Sequence, residues 1–223
     1  MADWPDLVVC AHHHDGHHHQ LRDDGALHLT AQPDFSRIPP DAFARALAFT
    51  LQWEHGKSDH PADHGGRTLD GITQVAYAAY RAARRLPRRD VFEMTDPERD
   101  DIYRRNYWDA VRGDDLAAVS DRMAMCVFDS AVNHGVGTAS RLLQRTAQAE
   151  PDGVIGKVTI ACLRLRLMKL GPAQLLTVFL ERRAGLYKAI LLRDPSQGVF
   201  RKGWRNRINA LATVVGVESP WED

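Results

Sequence analysis

From residue 41 onward, apolar side chains return at helical spacing along most of the chain. Phe43, Leu47 and Leu51 recur every four residues with Ala46 and Trp53 beside them, which predicts an amphipathic helix over 41–54, entered through Pro39-Pro40-Asp41. Ile72, Val75, Ala76, Ala79, Tyr80, Ala83 and Leu86 predict a second helix over 72–86, stopped by Pro87. Thr95-Asp96-Pro97-Glu98 has capping-box spacing and opens a helix through about Trp108. Leu116, Val119, Met123, Val127 and Ala131 predict a long helix over 116–134, closed by Gly135. Helical periodicity returns over 137–149, 157–169, 172–192 and about 200–215, with a turn at 150–156 and an exposed loop at 193–199. Strands have little room. Leu7-Val8-Val9 and Leu27-His28-Leu29-Thr30 fit short strands or none, and the polar loop 55–71 holds at most one small hairpin. The expected class is mainly α.

That polar loop is where chemistry concentrates. Glu54 ends the first apolar run, and Asp63, Gly65-Gly66, Thr68 and Gly71 follow before the next helix. The C-terminus of a helix is negative, so a carboxylate there is opposed by the macrodipole, and the apolar neighbours Leu51 and Trp53 oppose it further. Both effects favour the protonated form that a general acid uses. Asp63 lies across the loop. A hairpin between the two carboxylates can set them roughly 6.5–9.5 Å apart, the gap an inverting glycosidase leaves for its water. Thr68 can hydrogen-bond that water. For Asp63 and Thr68, organisation of the loop itself fits as well. His55, His60 and His64 with Asp59 and Asp63 allow a metal-dependent hydrolase as another reading, but they come from one short loop without a metal motif.

Composition narrows the partners. The 223 residues, 44% of them hydrophobic, suffice for one domain with a real core. The 29 basic and 29 acidic residues cancel, so no global field argues for nucleic acid. The balance is uneven: residues 1–40 are acidic, and basic clusters lie at Arg81, Arg84, Arg85, Arg88 and Arg89 and at Arg201, Lys202, Arg205 and Arg207. Such clusters read as solvated helix faces, or as attraction to an anionic polymer such as a bacterial cell wall. Cys10, Cys126 and Cys162 form neither a disulfide framework nor a metal motif. The N-terminus lacks the pattern of a signal peptide, and no stretch is apolar enough to span a membrane. Residues 1–38 carry His12-His13-His14-Asp15-Gly16-His17-His18-His19 and read as a polar arm or small appendage with adventitious metal affinity.

The run from Glu54 through Asp63-His64-Gly65-Gly66-Arg67-Thr68 to Gly71-Ile72-Thr73-Gln74 resembles the signature of glycoside hydrolase family 108. Later blocks continue the resemblance: Tyr107-Trp108, Phe128-Asp129-Ser130-Ala131-Val132-Asn133-His134-Gly135, Leu143-Gln144 and Asp152-Gly153-Val154-Ile155-Gly156-Lys157-Val158-Thr159. Phe200-Arg201-Lys202-Gly203-Trp204-Arg205-Asn206-Arg207 is similar to the family's closing Gly-Trp-x-x-Arg element. The family usually reads Glu-Gly-Gly-Tyr where this chain has Glu54-His55-Gly56-Lys57. The resemblance implies a lysozyme-like helical domain over 39–215 with a small hairpin or loop carrying the catalytic residues. It also implies a peptidoglycan-binding segment from about 135, and leaves 216–223 as a tail.

The implied activity is that of an N-acetylmuramidase without cofactor or resident metal, with peptidoglycan glycan strands as partner. Glu54 is the expected acid, with Asp63 and Thr68 on the water. Gln74, Tyr107 and Asn133 are expected to bind substrate. For Asn133, helix capping fits equally, and Tyr107 is preferred to Trp108 as the residue in the groove. Family members include phage endolysins and muramidases that assist secretion, so synthesis in the cytoplasm and action at the wall after export or holin-type release is expected. A monomer, with a secretion machine or immunity protein as further partners, completes the expectation. A lytic transglycosylase using Glu54 alone and a non-catalytic wall binder are the alternatives.

Overall fold

The computed structural model describes residues 41–54, 56–58 and 66–221. The His-rich arm, Asp63 and the loop histidines 55, 60 and 64 lie outside the described residues. Among those described, nine α-helices surround one core, and the β-structure is a single small sheet. The helices are α1 Ala42–Glu54, α2 Gln74–Ala83, α3 Asp96–Tyr103, α4 Gly113–Ala117, α5 Asp121–His134, α6 Val136–Ala147, α7 Lys157–Leu170, α8 Pro172–Arg193 and α9 Arg201–Val215. Strands β1 Lys57–Ser58, β2 Thr68–Leu69 and β3 Ile72–Thr73 pair antiparallel in the order β1-β2-β3, with Thr68 opposite both Ser58 and Thr73. This is the mainly α, lysozyme-like architecture the periodicity and resemblance imply.

The core is continuous from Phe43 to Val215. Helix α5 sits at its centre, packed by α1, α4, α6 and α8. Phe43, Trp108 and Phe128 meet edge to face at 5.5–5.8 Å, tying α1, the segment after α3 and α5 together. Cys126 is buried within α5, and burial pushes its thiol up to about 12, so it behaves as a small apolar side chain.

Where elements differ from the periodicity, local chemistry explains it. Ile72 and Thr73 are strand rather than helix because Thr73 caps α2, its side chain accepting from the Ala76 amide at 3.2 Å. Helix α2 ends at Ala83, before Pro87, as Arg85 turns left-handed and Leu86 N–H bonds back to the Arg81 carbonyl at 2.9 Å. The run 116–134 is two helices, because Ser120 is extended and caps α5 at the Met123 amide. After α3, residues Arg104–Trp108 widen into a π turn, closed by the Asp109 amide on the Arg104 carbonyl at 2.8 Å. Residues Pro195–Phe200 coil into a 3-10 turn capped by Asp194 rather than an irregular loop.

Candidate active site

Glu54 closes α1 and is only 4% exposed. Its Oε1 accepts from Arg207 Nη1 at 2.6 Å, a bond from α9 that spans 153 positions of sequence. The sequence reading had Glu54 among apolar neighbours only. The structure adds a cation on one of its two oxygens. The other oxygen, Oε2, lies against the β2–β3 turn: a Cβ built on Gly71 would meet it at 3.2 Å and the Tyr103 hydroxyl at 2.7 Å. Gly71 has φ +75°, so the position asks for glycine twice, by conformation and by space. A glycine lets the backbone come close to its neighbours. The approach it permits here is to Glu54 and Tyr103. Tyr103 donates to the Asp70 carbonyl at 2.8 Å and holds that turn over the carboxylate. Burial, then the charge of Glu54, raises the Tyr103 phenol well above its ordinary value and pushes Tyr107 up to about 12, so both stay protonated donors.

Behind Glu54 runs a buried ion network. Asp129 on α5 is fully buried. Its Oδ1 accepts from Arg207 Nη2 at 2.7 Å and from Thr50 Oγ1 at 3.1 Å, and its Oδ2 accepts from Arg183 Nη1 on α8 at 2.6 Å. The residues pair by helical turns: Thr50 and Glu54 on α1, Asp129 and Asn133 on α5, Arg183 and Tyr187 on α8. The Tyr187 hydroxyl donates to Asn133 Oδ1 at 2.5 Å, one turn along from the Arg183–Asp129 pair. Burial works to raise Asp129, but the guanidiniums of Arg207 and Arg183 outweigh it and hold the carboxyl far below its usual range. Burial works against the charge of Arg207, and Asp129 and Glu54 more than restore it. Desolvating four charges costs several kcal/mol per ion, and close, forked bonds are what offset it. The network therefore argues for a fixed geometry at Glu54 more than for stability.

The other expected site residues divide. Thr68 is buried on β2, three residues before Gly71, and donates to the Gly66 carbonyl at 3.1 Å, which leaves its oxygen lone pairs to accept. Tyr107 is half-buried with its ring 5.7 Å from that of Tyr103, beside Glu54, whereas Trp108 is fully buried in the core with its indole N–H on Asp114. Gln74 stands apart: its amide donates to the Arg89 carbonyl at 3.1 Å and accepts from the Val91 amide at 2.7 Å, so it clamps the 87–91 segment. Asn133 faces Tyr187. Gln144 holds the 152–159 turn through Asp152, the Gly153 amide and the Val154 carbonyl. Among the described residues no group of three or more His, Cys, Asp or Glu side chains is placed to hold a metal.

Sequence reasoning missed Asp129, Arg183 and Arg207 as parts of this site. The signal was present. Arg183 follows Leu176, Phe179 and Leu180 at helical spacing, and Arg207 shares a stripe with Ile208, Leu211 and Val215. A charge on a core-facing stripe needs a buried partner. The basic clusters were read as solvated faces, but Arg207 and Arg81 are both buried, Arg81 on Glu98 at 2.5 Å.

Residues 47–135 match the family Glycosyl hydrolase 108, and residues 138–209 match a Predicted Peptidoglycan domain. Among curated proteins none matches. The solved structure of Brucella abortus SagA is similar, with 32% identity and a TM-score of 0.61 over 78% of this chain and 92% of that one.

Proposed function

The chain belongs to glycosyl hydrolase family 108, and from that membership we propose that it is an N-acetylmuramidase whose general acid is Glu54. The coarser statement, a glycosidase acting on peptidoglycan, follows from the family and the peptidoglycan segment together. The observation that carries the finer one is the environment of Glu54: a buried carboxyl with one oxygen held by Arg207 and the other under the glycine turn of the loop.

In this reading Glu54 protonates the oxygen of the leaving sugar. Asp63 and Thr68 orient the water that attacks the anomeric carbon from the opposite face, giving single displacement with inversion. Thr68 contributes as acceptor, since its proton is already given to Gly66. Tyr107, whose ring packs on Tyr103 near Glu54, binds the sugar in this reading. The work site is the bacterial wall, and no helix among the described residues is long and apolar enough to cross a membrane. Release through a holin and export as an effector both fit. If residues 2–38 address the protein to a secretion machine, their deletion abolishes delivery and leaves activity on purified walls intact.

The test is to digest isolated sacculi and identify the soluble fragments by mass spectrometry. Muropeptides ending in reducing N-acetylmuramic acid are expected. Ends carrying 1,6-anhydro-muramic acid would replace this mechanism with a transglycosylase acting through Glu54 alone. Binding to sacculi without any released fragment would leave a wall-binding protein.

A further inference from the structure

We infer that Arg207, with Asp129 and Arg183 behind it, is a positioning residue for Glu54, so that the segment 138–209 completes the catalytic centre as well as meeting the wall. The inference rests on Glu54 being the acid.

The network divides cleanly along the chain. Its anions, Glu54 and Asp129, and the hydroxyl of Thr50 all fall within residues 47–135. Its cations, Arg183 and Arg207, both fall within 138–209. Neither segment can form the network alone: without the second, two buried carboxylates lose their cations, and without the first, two buried guanidiniums lose their anions. The core is likewise continuous across the boundary. The closing Gly203-Trp204-Arg205-Asn206-Arg207 element thereby acquires a reason. It ends in a residue whose side chain donates to both Glu54 and Asp129.

The geometry assigns Arg207 a specific task. Its Nη1 holds Glu54 Oε1, while Nη2 and Nε grip Asp129 at 2.7 Å and 3.1–3.2 Å. A protonated carboxyl carries its proton on one oxygen only. An N–H donor on Oε1 leaves Oε2 as the oxygen that bears the proton, and Oε2 is the one beneath Gly71. Arg207 thus selects which oxygen is the acid and fixes its direction. A lysine at 207 has a single point charge and cannot fork across both carboxylates. Among the described residues, the charged and titratable groups around Glu54 include Arg207 from α9, Tyr103 and Tyr107 from α3 and the π turn, Asp70 beside Tyr103, and Asp129 and Arg183 behind Arg207.

The experiment compares Arg207→Gln and Arg207→Lys with the unaltered protein on soluble glycan strands. Sacculus pelleting is measured in a Glu54→Gln background. Arg207→Gln is expected to lower kcat about tenfold to a hundredfold, with KM and pelleting unchanged. Arg207→Lys should recover part of kcat. Thr50→Val is isosteric and removes the hydroxyl that donates to Asp129, so it reads the same network if Arg207 variants fail to fold. It should lower kcat a few-fold, about threefold, at unchanged KM. A loss confined to KM and pelleting would overturn the inference and make 138–209 a wall binder only. Unchanged kcat in the folded variants would overturn it too. If instead Glu54→Gln itself remains active, the acid assignment fails first, and that outcome is separate from either.

Discussion

Glu98 and Glu54 are both held by arginine, and of the two only Glu54 keeps an oxygen that accepts no hydrogen bond from the described residues. Glu98 lies in the capping box of α3, 15% exposed. Its Oε1 accepts from Arg81, and its Oε2 accepts from Arg89, the Tyr77 hydroxyl at 2.9 Å and both the amide and hydroxyl of Thr95. Both oxygens are committed to holding the 77–98 region together. Burial works to raise its pKa, and these bonds, with Arg89, bring it below the ordinary value. Glu54 is more deeply buried, yet among the described residues only Oε1 accepts a hydrogen bond, from Arg207. Oε2 sits under a turn that only glycine can form. A carboxylate that staples a fold saturates both oxygens. One proposed to transfer a proton, as Glu54 is, keeps an oxygen for the substrate. The difference lies in how the arginines are distributed, since both sites have them.

The comparison breaks first, and most severely, at Asp129. Asp129→Asn leaves two buried guanidiniums facing a neutral amide and should cost about 3–5 kcal/mol, read by urea unfolding. A loss under about 1 kcal/mol would mean the network is hydrated. Next in size is Gly71→Ala. It forces a methyl against the Tyr103 hydroxyl and Glu54 Oε2 at a left-handed φ, and activity should fall about tenfold or more with most of the thermal stability retained. Tyr103→Phe frees the Asp70 carbonyl and sharpens the same point: about 1 kcal/mol of stability lost, and a smaller fall in kcat than Gly71→Ala gives.

The smallest effect concerns pH. Burial, then Arg183 and Arg207, push His134 well below its ordinary 6.5, so it is neutral when folded. Below pH 6.5 the unfolded chain binds a proton that the folded one refuses, so stability should fall as pH drops from 7 toward 5. His134→Gln should flatten that slope, measured by thermal unfolding at fixed ionic strength. A second fall belongs to Glu98 and Asp129, whose lowered values stabilise the fold above the ordinary carboxylate range and lose that contribution as pH drops through and below it.

The helices were legible because their apolar stripes are local, and Glu54 was legible because a carboxylate at the end of such a stripe is odd wherever the rest of the chain goes. Helix breaks were harder. Ser120 and Thr73 end or begin helices through single side-chain caps that a run of apolar residues conceals. The partners of Glu54 and Asp129 were harder again, since Arg207 and Asp129 are 78 positions apart and Arg207 and Glu54 are 153 apart. Periodicity says that Arg183 and Arg207 face the core. Only the packing of α8 and α9 against α5 and α1 says what they face. Gln74 illustrates the converse: a polar residue beside the loop that follows Glu54, expected to bind substrate, has both ends of its amide on the backbone of Arg89 and Val91.

The most direct measurement sets the two carboxylates against each other: release of reducing ends from sacculi by folded Glu54→Gln and Glu98→Gln, alongside their unfolding midpoints. Glu54→Gln should lose activity by about a hundredfold to ten-thousandfold, the share a general acid supplies, while remaining folded. Glu98→Gln should keep activity within a few-fold, about threefold, and lose stability of about 1–3 kcal/mol. An active Glu54→Gln, or an inactive but fully stable Glu98→Gln, would contradict the account.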